Sequence, residues 1–339
     1  MYQKRINRFD NLKGIFIVFV VLFHVLQRSS FIQNDSLTLP DYILSCVGCF
    51  LMPAFTFISG LFTSKARRAG DDEKLVSNIL IPFLIAHLLQ WVIFSRSLKS
   101  VFTPSLSTWY LLSLFFWRIL VAPVSRIRFS FFISILVGLV CGFTAANNLL
   151  SVSRAVSFFP YFLAGYFTDR NRLLKLGNTC ARKITGGVGL LVVFLIAILL
   201  HYHGFPIKKI LYLNASYSSL GLSDTTGLLL RALAYCMGFA SIICLFSLMP
   251  DIKCFLTDLG KNTMPVYIGH AFIVRANPII LKRFNIFSNM SEAGFLLFSV
   301  LVTAAICLLL SNRYVIRVYQ FIMNHVILFC FDKMKKGKV

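Results

Sequence analysis

The chain of 339 residues is 58% hydrophobic and only 14% charged. Soluble proteins carry roughly 25% charged residues, so this composition excludes an ordinary soluble domain and indicates a protein folded within a lipid bilayer. The 34 lysines and arginines outnumber the 12 aspartates and glutamates, which gives a formal net charge of +22. We attribute this excess to membrane topology and not to nucleic-acid binding, because basic residues concentrate in the cytoplasmic loops of membrane proteins.

Several stretches of the sequence are apolar enough to cross a bilayer, which takes about 20 mostly apolar residues per helix. In chain order we predict ten spans, at 12–27, 42–62, 76–95, 106–124, 129–145, 154–168, 184–201, 226–249, 264–281 and 293–311. All twelve acidic residues fall outside these spans, which argues against a proton-coupled transporter with a carboxylate relay. The sequence therefore predicts an all-α, polytopic membrane helix bundle.

Basic residues lie mainly on one side of this ten-helix arrangement. With the N-terminus inside, the cytoplasmic segments hold 23 of the 34 basic residues and the opposite segments hold 8. This asymmetry predicts that both termini are cytoplasmic.

The C-terminal stretch follows a different pattern from the spans. A polar residue recurs every three to four positions, at Arg313, Arg317, Gln320 and Asn324. This periodicity predicts a cytoplasmic amphipathic helix in the membrane interface, followed by a basic tail, over 312–339. The transmembrane domain then covers 1–311. An eleventh span over 312–331 is the alternative.

An ionisable side chain at membrane depth is costly and is a functional candidate by default. Away from their ends, the predicted spans contain His24, His87, Arg118, Arg231, His270 and Arg275. His87 has no motif around it, so a packing role is favoured for that residue.

Two of these histidines are predicted at similar depth from the same side of the membrane. Lys13 and His24 are eleven residues apart, so on a helix they share one face, about 16 Å apart. His270 lies nine residues past Lys261, about 13 Å inward. One hypothesis is a shared site, in which a cation at the boundary holds a phosphate-bearing ligand and a deeper imidazole performs acid–base chemistry. The alternative is that Lys13 is a positive flank and both histidines are structural.

The opening Asp10-Asn11-Leu12-Lys13-Gly14, its apolar run and His24 resemble the start of the acyltransferase 3 family, and within it the fucose 4-O-acetylases. Lys13 and His24 match the Arg/Lys-x10-His motif of that family. Further segments resemble it in the same order, at 55–62, 109–111 with 116–118, 158–166 and 260–270. Phe23 departs from the pattern, because a small residue is expected before the histidine.

The resemblance implies an integral-membrane O-acetyltransferase of the bacterial cytoplasmic membrane. It would move an acetyl group from cytosolic acetyl-CoA to a hydroxyl of a cell-surface carbohydrate or its precursor, without a metal. His24 is then expected to act as general base or as a transient acyl carrier, with His270 as donor to the oxyanion. Contacts to acetyl-CoA are expected from Lys13, Ser59, Arg67, Arg68 and Arg118, and contacts to the acceptor from Trp109, Arg231 and Arg275.

Several of these residues also have a structural interpretation. Ser59 with Gly60 is typical of a small-residue helix contact, and Trp109 of an interfacial belt. Arg118 would serve equally as a cytoplasmic flank, and Arg231 and Arg275 as residues that snorkel to the surface. Two rival functions stay open, a transporter or flippase of lipid-linked sugars and a non-catalytic membrane partner. Neither rival consumes a thioester.

Overall fold

The structure is a computed structural model that describes residues 6–27, 38–65, 69–95, 97–104, 106–144, 149–175, 179–283 and 290–331, with backbone alone for 277–283. The described residues form helices and turns, without a strand among them. The α-helices are α1 (Asn7–Gln27), α2 (Leu39–Leu61), α3 (Asp71–Leu75), α4 (Ile81–Phe94), α5 (Leu98–Val101), α6 (Thr108–Val124), α7 (Ser130–Val140), α8 (Val152–Phe167), α9 (Arg170–Leu174), α10 (Cys180–Tyr202), α11 (Ile207–Leu211), α12 (Asp224–Leu248), α13 (Phe255–Lys261), α14 (Thr263–Arg283), α15 (Glu292–Leu310) and α16 (Arg313–Cys330). A π-helical turn, Val76–Leu80, joins α3 to α4, and short 3-10 turns cover Cys141–Phe143, Leu149–Ser151 and Ser218–Leu220.

Each predicted span coincides with a helix, which confirms the all-α membrane bundle. Within the described ranges, six helices are long and apolar enough to cross a membrane: α1, α2, the continuous α3–α4 helix, α10, α12 and α15. Shorter apolar helices cover Thr108–Val124 and Ser130–Phe143. Polar residues such as Arg154 on α8 and His270 on α14 reduce the apolar character of the two remaining helices. The total of ten spans and the orientation stay predictions.

The helices divide into those that bury their side chains and those that present them to the surroundings. Helices α1 and α2 lie at the centre, and most of their apolar residues are buried. Helix α10 is apolar on nearly every side and still exposes residues such as Leu191, at 67%. A helix with apolar residues all round suits contact with lipid.

Helix α16 follows the last long apolar helix as a separate element. The side chain of Asn312 caps its start by accepting a hydrogen bond from the Tyr314 backbone N–H at 3.0 Å. Arg313 and Arg317 are exposed, and so is Phe321, one turn beyond Arg317. The helix that the sequence predicts here is present, whereas its position in the membrane interface stays a prediction.

Reciprocal glycine contacts bring the central helices into close approach. A Cβ at Gly60 of α2 would overlap the carbonyl oxygen of Phe162 on α8, and a Cβ at Gly165 would overlap that of Phe57. The same arrangement pairs Gly14 of α1 with α13, where Gly260 packs against the Asp10 carbonyl. Small residues therefore set the spacing of the helices that carry the candidate site.

A buried amide holds the start of α1 in place. The Asn11 side chain donates to the carbonyl oxygens of Pro250 and Ile252, at 3.1 and 2.8 Å, and accepts from the Thr257 hydroxyl at 2.5 Å. Asn11 is completely buried. Its amide therefore fixes the position of α1 relative to the segment that leads into α13.

Candidate active site

The two histidines from α1 and α14 lie side by side. The ring centroids of His24 and His270 are 5.5 Å apart, with planes 21° from parallel. His270 is fully buried, and its Nδ1 lies 2.9 Å from the carbonyl oxygen of Val266. A carbonyl only accepts, so Nδ1 carries the hydrogen and the neutral ring presents a lone pair at Nε2. That Nε2 is buried and has no hydrogen-bond partner among the described residues.

His24 opens onto a cavity of about 490 Å³, here called the outer cavity. It lies where α1 ends and where α6 and α8 begin, at the opposite end of α1 from Lys13. Its lining consists of Val20, Phe23, His24, Gln27, Gly48, Leu51, Met52, Leu106, Ser107, Trp109, Arg154, Phe158, Leu211, Tyr212 and Tyr267. The histidine is therefore accessible from this space and is not sealed in hydrocarbon.

Polar groups of the outer cavity surround aromatic surfaces. The Arg154 guanidinium lies over the indole of Trp109, 5.1 Å from its ring centroid. The Gln27 side-chain amide donates to the Tyr212 hydroxyl at 3.3 Å. The Phe23 ring, 5.6 Å from that of Tyr212, contributes to the wall instead of the small residue that the family pattern predicts.

Tyr267 ties α14 to the start of α6. Its hydroxyl donates to the backbone carbonyl of Ser107, and its ring lies 5.9 Å from the ring of His270. Both Tyr267 and Ser107 line the outer cavity. This hydrogen bond therefore fixes the turn of α14 that carries His270 against the cavity wall.

A second, smaller cavity of about 270 Å³ lies toward the Lys13 end of the bundle, and we call it the inner cavity. Its lining consists of Phe62, Thr63, Ser64, Lys65, Asp71, Asp72, Lys74, Leu75, Asn78, Arg118, Val121, Ala122 and Tyr166. Arg118 is half-buried there, and its Nε is buried without a hydrogen-bond partner among the described residues. An unsatisfied guanidinium nitrogen beside lysines suits a phosphate-bearing ligand.

Lys13 borders the inner cavity through Phe62. Its ammonium lies 5.4 Å from the centroid of the Phe62 ring and pairs with the Asp10 carboxylate at 2.7 Å. Arg170 approaches the same ring to 4.5 Å and donates to the carbonyl oxygen of Leu61. The positive charge of Lys13 is therefore partly balanced before any ligand binds.

Along α2, a hydrogen-bonded pair lies between the levels of the two cavities. The hydroxyls of Ser59 on α2 and Tyr110 on α6 are 2.6 Å apart, and the Tyr110 hydroxyl also lies 3.3 Å from the carbonyl oxygen of Phe55. Along α2, Ser59 lies between Met52 of the outer cavity and Phe62 of the inner one. The two linings have no residue in common.

Two arginines that the sequence suggested for the acceptor lie outside both linings. Arg231 is buried and donates to the Ser157 hydroxyl at 2.6 Å and to the Leu213 carbonyl at 3.1 Å. Arg275 lies 3.3 Å from the Gln90 side-chain oxygen and 5.2 Å from the centroid of the Phe94 ring.

The remaining assignments from the sequence have mixed outcomes in the structure. Trp109 lines the outer cavity, and Ser59 is hydrogen-bonded to Tyr110. Arg67 and Arg68, expected to bind acetyl-CoA, lie outside the described residues. His87, for which packing was favoured, is buried, and its Nε2 is 2.8 Å from the Val101 carbonyl oxygen.

Sequence reasoning missed three residues of the outer cavity, namely Gln27, Arg154 and Tyr212. Arg154 is the first residue of the predicted span 154–168, and it was counted with the loop that precedes that span. A basic residue at the start of an apolar segment is a usable signal. Gln27 is the last residue of the first span and Tyr212 belongs to a connection, and polar residues at such positions carry no such signal.

The comparison with protein families identifies the family of the chain. A family model described as an acyltransferase domain, that of acyltransferase 3, matches residues 6–312. The chain belongs to the acyltransferase 3 family. No curated protein and no solved structure matches the chain.

Membership of acyltransferase 3, together with the membrane-crossing helices, makes the chain a multi-pass membrane acyltransferase. The range matched to acyltransferase 3 contains both histidines and both cavities. The resemblance seen in the sequence is thus confirmed at the level of the family, and the fucose 4-O-acetylase subgroup stays a prediction.

Proposed function

We propose that this acyltransferase moves an acetyl group from cytosolic acetyl-CoA to a hydroxyl of a cell-surface carbohydrate or its precursor, in a bacterial cytoplasmic membrane. The observation that carries the proposal is the position of His24. It belongs to the family motif, lines the outer cavity and lies against the buried His270. An accessible imidazole next to a second imidazole is suited to general-base chemistry.

The inner cavity is the proposed binding site for the nucleotide part of acetyl-CoA. Arg118 and Lys65 line it, and Lys13 lies at its border. These cations suit the phosphates of the donor, and the Nε of Arg118 has no hydrogen-bond partner among the described residues.

The acetyl-bearing arm of the donor would extend from the inner cavity toward His24. The Ser59–Tyr110 pair stands in its way, so we propose that these two hydroxyls separate when the donor binds. Ser59 would then lie beside the arm, as the sequence suggested. The outer cavity, with the indole of Trp109 in its wall, would hold the acceptor sugar.

The transfer requires one proton acceptor and one stabilised oxyanion. A neutral nitrogen of His24 takes the proton of the sugar hydroxyl while the oxygen attacks the thioester carbon. The carbon–sulfur bond then breaks, the ester forms, and the proton passes to the departing sulfur to give free CoA. The products of this reaction are the acetylated sugar and free CoA.

The hydrogen bond of His270 argues for a different role from the one expected from sequence. Its Nδ1–H is already donated to Val266, so the neutral ring has an acceptor and not a donor at Nε2. We propose that His270 stabilises the protonated form of His24. Gln27 and Tyr212 supply the hydrogen-bond donors that line the outer cavity and suit the oxyanion.

The proposed reaction is tested with purified protein in lipid nanodiscs. Acetyl-CoA is supplied together with glycan precursors from the producing cell, and both the released thiol and the acetylated glycan are measured. Our proposal expects equal amounts of the two products. A transporter or a non-catalytic partner would release no thiol, and that result would overturn the proposal.

A further inference from the structure

Among the described residues, the outer cavity contains a cation without an opposing anion. Arg154 is the charged residue of the described lining, in which no aspartate or glutamate occurs. The guanidinium makes no hydrogen bond or ion pair to any described residue, and its contact is the face of Trp109. An uncompensated guanidinium within a membrane protein is costly unless a ligand completes it.

A second arginine on the same side of the bundle shows what a structural guanidinium looks like in this chain. Arg231 is only 2% exposed, and it donates to the Ser157 hydroxyl and the Leu213 carbonyl. It joins α12, α8 and the loop before α12, and it does not line the outer cavity. Arg154 differs from Arg231, because its N–H groups donate no hydrogen bond to a described residue. It also lines the same cavity as His24.

Stacking on Trp109 holds the Arg154 guanidinium in position before a ligand arrives. A planar guanidinium fixed by an aromatic face presents its fork of N–H donors in a defined plane. That fork matches the two oxygens of a carboxylate or of a phosphate. A neutral sugar hydroxyl would satisfy only part of it.

We propose that the outer cavity selects acceptors with an anionic group, either a carboxylate or a phosphate, and that Arg154 binds this group. The inference rests on the proposed function, because it describes the acceptor of that same reaction. A carboxylate would come from an acidic sugar, and a phosphate from the link between a sugar and its carrier. The cavity places the bound anion beside His24, so a hydroxyl of the same molecule faces the imidazole.

Binding is measured first, because it does not depend on catalysis. The probes are methyl β-glucuronide, glucose 1-phosphate and the neutral methyl β-glucoside, each titrated into the protein in nanodiscs. We expect at least one anionic probe to bind about tenfold or more tightly than the neutral one, since a hydrogen bond to a charged group is worth that ratio. The two anionic probes distinguish the carboxylate from the phosphate.

Three variants give the measurement its controls. Arg154→Gln is expected to bring the ratio of the affinities for the anionic and neutral probes close to one. Arg154→Lys should retain part of the preference for the anionic probe. Lys209→Gln removes a positive charge from α11 at an exposed residue that does not line the cavity, and it should leave the ratio unchanged. Equal binding of all probes to the unaltered protein would overturn the inference. The inference would also be wrong if Lys209→Gln lowered the affinity ratio as much as Arg154→Gln does.

Acetyl transfer to the same probes separates this inference from the proposed function. Transfer without any preference for anionic probes would refute the role of Arg154 and leave the acetyltransferase intact. An Arg154-dependent preference in binding without any transfer would support the anion site and refute the proposed function. If Arg154→Gln instead raises the KM for acetyl-CoA, Arg154 belongs to the donor site and the inference is wrong.

Discussion

The outer and inner cavities both contain basic side chains, but they differ in what balances the positive charge. In the inner cavity Asp71 and Asp72 lie among Lys65, Lys74 and Arg118. In the described lining of the outer cavity Arg154 is accompanied by no carboxylate, and the other titratable side chains are those of His24, Tyr212 and Tyr267. The inner cavity is therefore suited to reversible binding of a charged nucleotide, and the outer cavity to chemistry on a bound acceptor.

This difference also explains why the two cavities are separate. Water that reached a thioester beside His24 would hydrolyse it, so a barrier between the two spaces protects the donor. In our proposal the Ser59–Tyr110 pair, whose hydroxyls are 2.6 Å apart, forms that barrier. The proposal assigns donor binding to one end of the bundle and reaction to the other, which substitutions at either end can test.

The largest effect is expected in the outer cavity. His24→Ala removes the proposed general base and should lower kcat by about 10²- to 10⁴-fold, the usual contribution of such a group. His203→Ala serves as the control, because His203 is exposed at the end of α10. Thiol release from acetyl-CoA is the measurement. Full activity of the His24 variant would refute the assignment.

In the inner cavity, Arg118→Ala should act on donor binding. Loss of a charge-assisted hydrogen bond should raise the KM for acetyl-CoA about tenfold to a hundredfold, with a smaller change in kcat. Arg128→Ala is the matched control, because Arg128 is exposed and stacks on Phe129 away from both cavities. An unchanged KM would remove Arg118 from the donor site.

Substitution of the glycine that sets the spacing of α2 and α8 should lower the stability of the protein. Gly60→Ala forces a methyl group against the Phe162 carbonyl and is expected to cost about 1–3 kcal/mol. Gly187→Ala on α10 is the control, since the nearest atom to its new Cβ is a Leu248 carbon at 3.8 Å. Thermal unfolding in detergent compares the two. Equal Tm values would show that the α2–α8 contact tolerates a wider spacing.

The smallest effect is expected at His270, which touches His24 and not the substrate. His270→Gln should lower kcat about tenfold and leave the KM for acetyl-CoA unchanged, because it removes one stabilising contact worth about 1.5 kcal/mol. Steady-state kinetics at several donor concentrations separate the two parameters. A change in KM alone would place His270 in the donor site instead.

Hydrophobic pattern and residue spacing were sufficient to predict the helices and the depth of the two histidines. His24 and His270 were expected at one level because each was counted from a basic residue at the same boundary, and the structure brings their rings together. The role of Arg154 could not be found this way. Its partner Trp109 lies on another helix, and their contact depends on how α6 packs beside α8.

Arg231 illustrates the same limit from the other direction. Its position within a span made it a candidate for contact with the acceptor substrate. The position along a span does not show which residues surround a side chain. One of its guanidinium nitrogens donates to the Ser157 hydroxyl and to the Leu213 carbonyl, which lie 74 and 18 residues away in the sequence. Whether a buried arginine is structural or functional is decided by partners that only the tertiary structure supplies.

The central claim, that a donor bound in the inner cavity reaches an imidazole in the outer one, is tested most directly by an experimental structure with a non-hydrolysable acetyl-CoA analogue. We expect the phosphates beside Arg118, the Ser59 and Tyr110 hydroxyls parted, and the acyl carbon within reach of a ring nitrogen of His24. A structure in which the analogue binds elsewhere, with Ser59 and Tyr110 still bonded and no path to His24, would contradict the account.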